Sequence, residues 1–180
     1  MQRSETVSTP APQIETVVQG EFKISRSPNT VLSTLLGSCV AACIYDPEIG
    51  LGGMNHFLLP GSDHGDSSEL KYGSMAMELL INDLLKAGAQ RTSLKAKLFG
   101  GARIAANLSD IGAKNIAFAR DYLARERFQV VSESLGGVQA RRVHFRPSTG
   151  HVRMMLVPPA QAPQEYSAPK RPPAAKVELF

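Results

Sequence analysis

The chain has no tryptophan, only 6 % aromatic residues, and two cysteines in 180 residues. The two thiols, Cys39 and Cys43, stand in one apolar run. On a strand their side chains would share a face but lie roughly 13 Å apart, which is too far to bridge. Both are therefore expected as reduced thiols in a cytosolic, cytoplasmic protein. No apolar stretch approaches the ~20 residues of a membrane span, which argues against membrane insertion. The polar N-terminus, Met1 to Gln13, lacks the apolar core of a signal peptide. Dense charge is missing as well. The net charge is +4 and the basic residues are scattered: Lys95 and Lys97, Arg120 to Arg127, Arg141 and Arg142, Lys170 and Arg171. Without a basic patch interleaved with aromatics, nucleic acid is not an expected partner. A solvated basic surface is the plain reading, and an acidic protein partner is the alternative.

What is present fits one globular domain. The chain is long enough for one real core and too short for two ordinary ones, and 43 % of it is apolar. Residues 1–13 are rich in Ser, Thr and Pro and are expected to be disordered. Residues 158–173 hold Pro158, Pro159, Pro163, Pro169, Pro172 and Pro173, half of the 12 prolines. That stretch is incompatible with helix or a central strand, so 158–180 reads as a Pro-rich tail, with a partner-binding extension as the alternative.

The body, 14–157, alternates strand and helix patterns. Ile14 to Ile24 suggests one strand and Thr30 to Gly37 a second. Val40 to Tyr45 and Leu51 to Leu59 flank Asp46-Pro47-Glu48-Ile49-Gly50, whose Pro and Gly sit at turn positions, so the two runs predict a hairpin. A helix is predicted over Ser74 to Ala87, with Met75, Leu79, Leu80, Leu84 and Leu85 near helical spacing and Gly88 as its stop. Leu94 to Phe99 reads as a strand. Ile111 to Arg127 reads as a second helix with Ile116, Phe118, Ala119, Tyr122 and Leu123 inside. Phe128 to Val131 is a short strand, and Arg142 to Phe145 with Val152 to Val157 form a last hairpin. Two helices on many short, mainly antiparallel strands describe an α/β sandwich.

The chemistry concentrates at Leu36-Gly37-Ser38-Cys39-Val40, with His56 seventeen residues after Cys39. A thiol at a Gly-Ser bend can be held by rigid backbone and stay open to solvent. The predicted hairpin would carry His56 back beside it. Thiol and imidazole make a nucleophile and a general base, because thiolate attacks an acyl carbon and the imidazole handles the proton. Backbone N–H groups around Gly37 and Ser38 would serve the developing oxyanion, since a glycine bend admits close approach. The plainer alternative for each residue is structural: a buried small hydrophobe for a lone Cys and a satisfied core residue for a lone His. Cys43 takes the buried reading. His64, near Asp63 and Asp66, reads as surface loop, and no metal site is expected. His144 and His151 read as surface or structural. A third group should orient His56, and spacing leaves Ser33, Thr34, Ser38 and Asn55 open.

In order and spacing these residues resemble the chemoreceptor glutamine deamidase family, CheD, of bacterial chemotaxis. The matching segments are Leu36-Gly37-Ser38-Cys39-Val40, Ile44-Tyr45-Asp46, Gly52-Gly53-Met54-Asn55-His56-Phe57-Leu58-Leu59-Pro60, Lys97-Leu98-Phe99-Gly100-Gly101-Ala102, Ile111-Gly112-Ala113-Lys114-Asn115-Ile116 and Leu135-Gly136-Gly137. The resemblance implies hydrolysis of glutamine side-chain amides to glutamate on methyl-accepting chemotaxis receptors, through a Cys thioester. It implies Cys39 as nucleophile, His56 as base and acid, and Ser33 as the orienting hydroxyl. It also implies a fold similar to toxin deamidase catalytic domains, with no cofactor. Two positions depart from the family pattern. Ser33 stands where Thr is usual, and Val138 where Asn is frequent. The competing functions are a non-catalytic adaptor that binds receptors or a CheC-type phosphatase, and another papain-like acyl transfer.

Overall fold

A computed structural model describes residues 11–59, 67–104 and 111–163. Residues 1–10, 60–66 (with Asp63, His64 and Asp66), 105–110 and 164–180 lie outside the described residues. Nine strands and two α-helices are described. They run β1 (Gln13–Thr16), β2 (Phe22–Ser25), β3 (Thr30–Leu36), β4 (Val40–Asp46), β5 (Leu51–Asn55), α1 (Ser67–Lys86), β6 (Lys95–Gly100), α2 (Ile111–Arg125), β7 (Gln129–Leu135), β8 (Arg141–Arg146) and β9 (His151–Leu156).

The strands form a four-stranded sheet, β1-β3-β8-β9, and a five-stranded sheet, β2-β5-β4-β6-β7. The β1–β3 and β6–β7 pairs are parallel, and the other pairings are antiparallel. Parallel strands need a crossover, and α2 supplies it between β6 and β7.

Strand β4 explains the layering. All seven of its residues are buried. Val40, Ala42 and Ile44 join one core with Met77, Leu80 and Leu84 of α1 and Phe118, Ala119 and Leu123 of α2. Ala41, Cys43 and Tyr45 join a second core with Leu32 and Leu36 of β3 and Val143 and Phe145 of β8. Successive side chains on a strand point to opposite faces. A strand covered on both faces must therefore be apolar throughout. The result is helices on one sheet and a second sheet behind it, the expected α/β sandwich.

Both predicted hairpins form. Strands β4 and β5 pair from Cys43–Met54 to Asp46–Leu51, and β8 pairs with β9 from Arg141–Leu156 to Arg146–His151. Other expectations need correction. The single strand over Ile14 to Ile24 is two strands in different sheets, because Gly20 turns the chain at φ 87° between them. Helix α1 begins at Ser67, and its inward stripe is Met77, Leu80, Ile81 and Leu84, while Met75 and Leu79 face solvent. The first residues after Val157 form one 3-10 turn, Pro159–Gln161, where a proline at the start loses no hydrogen bond.

Candidate active site

The turn between β3 and β4 carries Cys39. Its carbonyls are anchored to three places. Gly37 C=O accepts from the N–H of Ala102 at 2.9 Å, and Cys39 C=O accepts from the N–H of Gly101 at 2.7 Å. Ser38 C=O accepts from Asn115 Nδ2 at 2.9 Å. In a trans peptide the N–H points away from the carbonyl. Anchoring the carbonyls of Gly37 and Ser38 inward thus turns the N–H groups of Ser38 and Cys39 the other way. Gly100 makes the close approach possible. A Cβ there would stand 2.1 Å from the Cys39 carbonyl oxygen, and the backbone has φ +113°.

His56 follows β5 directly. Val40 and Phe57 exchange two backbone hydrogen bonds, of 3.0 and 2.9 Å, in register with the β4–β5 hairpin. Val40 and Phe57 project into the helix-side core. Cys39 and His56 each precede one member of that pair, so both project from the opposite face as diagonal neighbours. This is the juxtaposition the predicted hairpin called for. Cys39 is half-buried and His56 is buried.

The imidazole is fixed by one edge. Thr34 Oγ1 donates to the carbonyl of Val17 at 2.7 Å, and lies 2.9 Å from His56 Nδ1. A hydroxyl has one hydrogen, and Thr34 has committed it to Val17. Nδ1 must therefore carry the proton and donate to Thr34. The Val17 carbonyl, 3.4 Å from Nδ1, can likewise only accept. The other nitrogen, Nε2, is thus left with a lone pair. It is buried and has no hydrogen-bond partner among the described residues. Burial lowers the His56 pKa, and the Val17 carbonyl opposes that by a smaller amount. Burial thus favours the neutral ring.

The hydroxyl against His56 is that of Thr34 and not of Ser33. Adjacent residues on a strand face opposite sides. Thr34 shares the inner face of β3 with Leu32 and Leu36, which pack between the sheets. Ser33 lies on the other face with Val31 and Leu35. Of the remaining alternatives, Asn55 turns away: its Oδ1 accepts from Ala42 N–H, and its Nδ2 donates to Ala76 C=O.

The other polar groups separate from the site. Cys43 is fully buried, and burial drives its thiol far up in pKa, against a smaller downward pull from Lys97. It is a core thiol, as expected. His144 pairs with Arg153 on the β8–β9 hairpin. No three His, Cys, Asp or Glu side chains among the described residues cluster as they would around a metal ion.

The family described as CheD chemotactic sensory transduction matches residues 58–155. A protein of Caulobacter vibrioides named "Probable chemoreceptor glutamine deamidase CheD" is 54 % identical over 171 residues, 91 % of each chain. A Rhizobium meliloti protein of the same name is 50 % identical over 163 residues, 89 % of each chain. The chain belongs to the CheD family. Among solved structures, Neisseria meningitidis protein NMB0706 aligns at a TM-score of 0.43 and 12 % identity, covering 71 % of this chain and 63 % of that one.

In this CheD chain two residues of the site escape sequence reasoning. In the sequence Thr34 is one hydroxyl among several near Cys39, and Asn115 is one polar residue inside the segment Ile111–Ile116. It is wholly buried on α2. Its Nδ2 holds Ser38, the residue before the thiol, and its Oδ1 accepts from the N–H of Leu59 at 2.8 Å, three residues after the imidazole. One carboxamide thus ties the two arms of the site to one helix. A clue was available: a polar residue in phase with Phe118, Ala119 and Leu123 must have its hydrogen bonds satisfied inside.

Proposed function

We propose that the chain is a protein-glutamine deamidase acting on methyl-accepting chemotaxis receptors. The names of its relatives support the substrate. The chemistry rests on one observation: Thr34 Oγ1, which donates to the Val17 carbonyl, lies 2.9 Å from His56 Nδ1, while Nε2 is buried without a partner among the described residues.

Nε2 takes the thiol proton, and the Cys39 thiolate attacks Cδ of a receptor glutamine. The C=O electrons move to oxygen, and the oxyanion is received by N–H groups of the Gly37-Ser38-Cys39 turn. His56 returns the proton to the leaving nitrogen and ammonia departs. This leaves a thioester. Water, deprotonated by Nε2, attacks the thioester and releases glutamate and the thiol. Thr34 holds the imidazolium in place through each transfer.

The test is ammonia release from purified receptor fragment, with mass spectrometry of the fragment. Deamidation turns Gln into Glu and leaves the chain whole. Cys39→Ala should abolish it. Full turnover by Cys39→Ala would overturn the mechanism, and a cut receptor chain would overturn the reaction class.

A further inference from the structure

A glutamine of the chain itself stands at the thiol. Cys39 Sγ donates to Gln19 Oε1 at 3.5 Å. We propose that Gln19 occupies the seat of the substrate's carboxamide as a non-productive stand-in, which a receptor glutamine displaces. The proposal rests on the reading of Cys39 as the nucleophile.

Three observations carry it. The first is chemical identity: Gln19 presents a primary carboxamide, the group the reaction consumes. The second is the stiffness of its base. The segment between β1 and β2 is tied to His56 and β3 on both sides. Val17 N–H donates to Ser33 C=O at 2.8 Å, Gly20 N–H to His56 C=O at 2.8 Å, and His56 N–H to Glu21 C=O at 3.0 Å. Glu21 N–H closes the turn on Val18 C=O at 3.0 Å. The backbone of Gln19 is therefore a fixed wall beside the thiol, while its side chain is exposed and can swing away.

The third is orientation. In a productive complex the amide oxygen faces backbone N–H donors, and its carbon faces a thiolate. Here the oxygen faces sulfur and accepts its hydrogen. A thiolate has no hydrogen to give, so this contact belongs to the protonated, resting thiol. Gln19 thus fills the seat without being consumed, and its departure both opens the seat and frees the proton for His56.

The experiment measures the second-order rate of Cys39 alkylation by iodoacetamide at neutral pH, read by peptide mass spectrometry, in wild type, Gln19→Ala and Gln19→Met. Methionine keeps the length and removes the carboxamide. Losing one modest hydrogen bond should raise the rate about three- to tenfold in both variants, and KM for receptor fragment should fall by a similar factor. A rate at or below wild type in either variant overturns the proposal. So does Cys39-dependent conversion of Gln19 to Glu in the wild-type protein, which would make Gln19 a substrate. If Cys39→Ala keeps deamidase activity, the reaction reading fails by itself, while the alkylation comparison still reports what Gln19 does to the thiol.

Discussion

Thr34 accepts a hydrogen bond from His56 Nδ1 at 2.9 Å while giving its own hydrogen to the Val17 carbonyl. A hydroxyl used in this way selects a tautomer as well as an orientation. Thr34→Val keeps the shape and removes the acceptor. It should lower kcat by about one to two orders of magnitude, the cost of leaving a buried Nδ1–H unsatisfied. Thr34→Ser should retain most activity. Ser33→Ala, on the opposite face, should change kcat little. Steady-state ammonia release from all three variants decides between the two hydroxyls; a large loss in Ser33→Ala with a silent Thr34→Val would reverse the assignment.

Burial holds the His56 pKa below its ordinary value. Below about pH 6.5 the unfolded chain takes up a proton that the folded site refuses. The contribution of His56 to stability is therefore present above that pH and is lost as pH falls through the folded pKa. His144 is shifted in the same direction, by burial and by the nearby Arg142 and Arg153, so the comparison must be differential. Urea unfolding at pH 7.5 and 5.0 should show a smaller acid loss in His56→Gln than in wild type. Equal losses would mean that the ring is not held neutral.

Asn115→Leu removes both hydrogen bonds of the carboxamide at once. It orphans the Leu59 N–H and the Ser38 C=O, each worth about 1–3 kcal/mol if left buried and unpaired. Asn115→Asp keeps an acceptor for Leu59 and loses the donor to Ser38. Thermal melts should rank wild type above Asn115→Asp above Asn115→Leu. Activity should fall in both variants, because both release the turn that carries the thiol. Wild-type activity in Asn115→Asp would show that the Ser38 anchor does not matter.

Gly100→Ala places a methyl against the Cys39 carbonyl at a backbone φ of +113°, where side chains are rarely accommodated. The cost should exceed the 1–3 kcal/mol typical of backbone strain alone, because the clash is with backbone atoms that cannot rotate away. A melting temperature within a degree or two of wild type would contradict this. Gly136→Ala offers a comparison, since among the described residues a Cβ there meets only Ile116 Cδ1 at 3.9 Å.

Much of the framework was legible because it is local. The β4–β5 hairpin follows from two apolar runs around a Pro–Gly turn, and its register brings Cys39 and His56 to one face. The orienting hydroxyl was not legible. Choosing Ser33 or Thr34 requires knowing which face of β3 meets the other sheet, and both residues are buried, so polarity does not separate them. Asn115 was missed for a related reason. A polar residue in a helix reads as solvent-facing until the chain is folded around it. The division of Ile14 to Ile24 between two sheets depends on long-range partners, β3 for one half and β5 for the other. The same division creates the strap bearing Gln19.

That strap changes what an N-terminal edit means for this protein. Thr34 and the imidazole both lean on the Val17 carbonyl, which lies next to the end of the first described strand. Trimming the chain through Val17 would spare the thiol, the imidazole and the threonine, and still strip away the acceptor that sets the proton's address. For deletion series, fusion junctions and protease nicks alike, a cut that removes Val17 disturbs His56 without touching it.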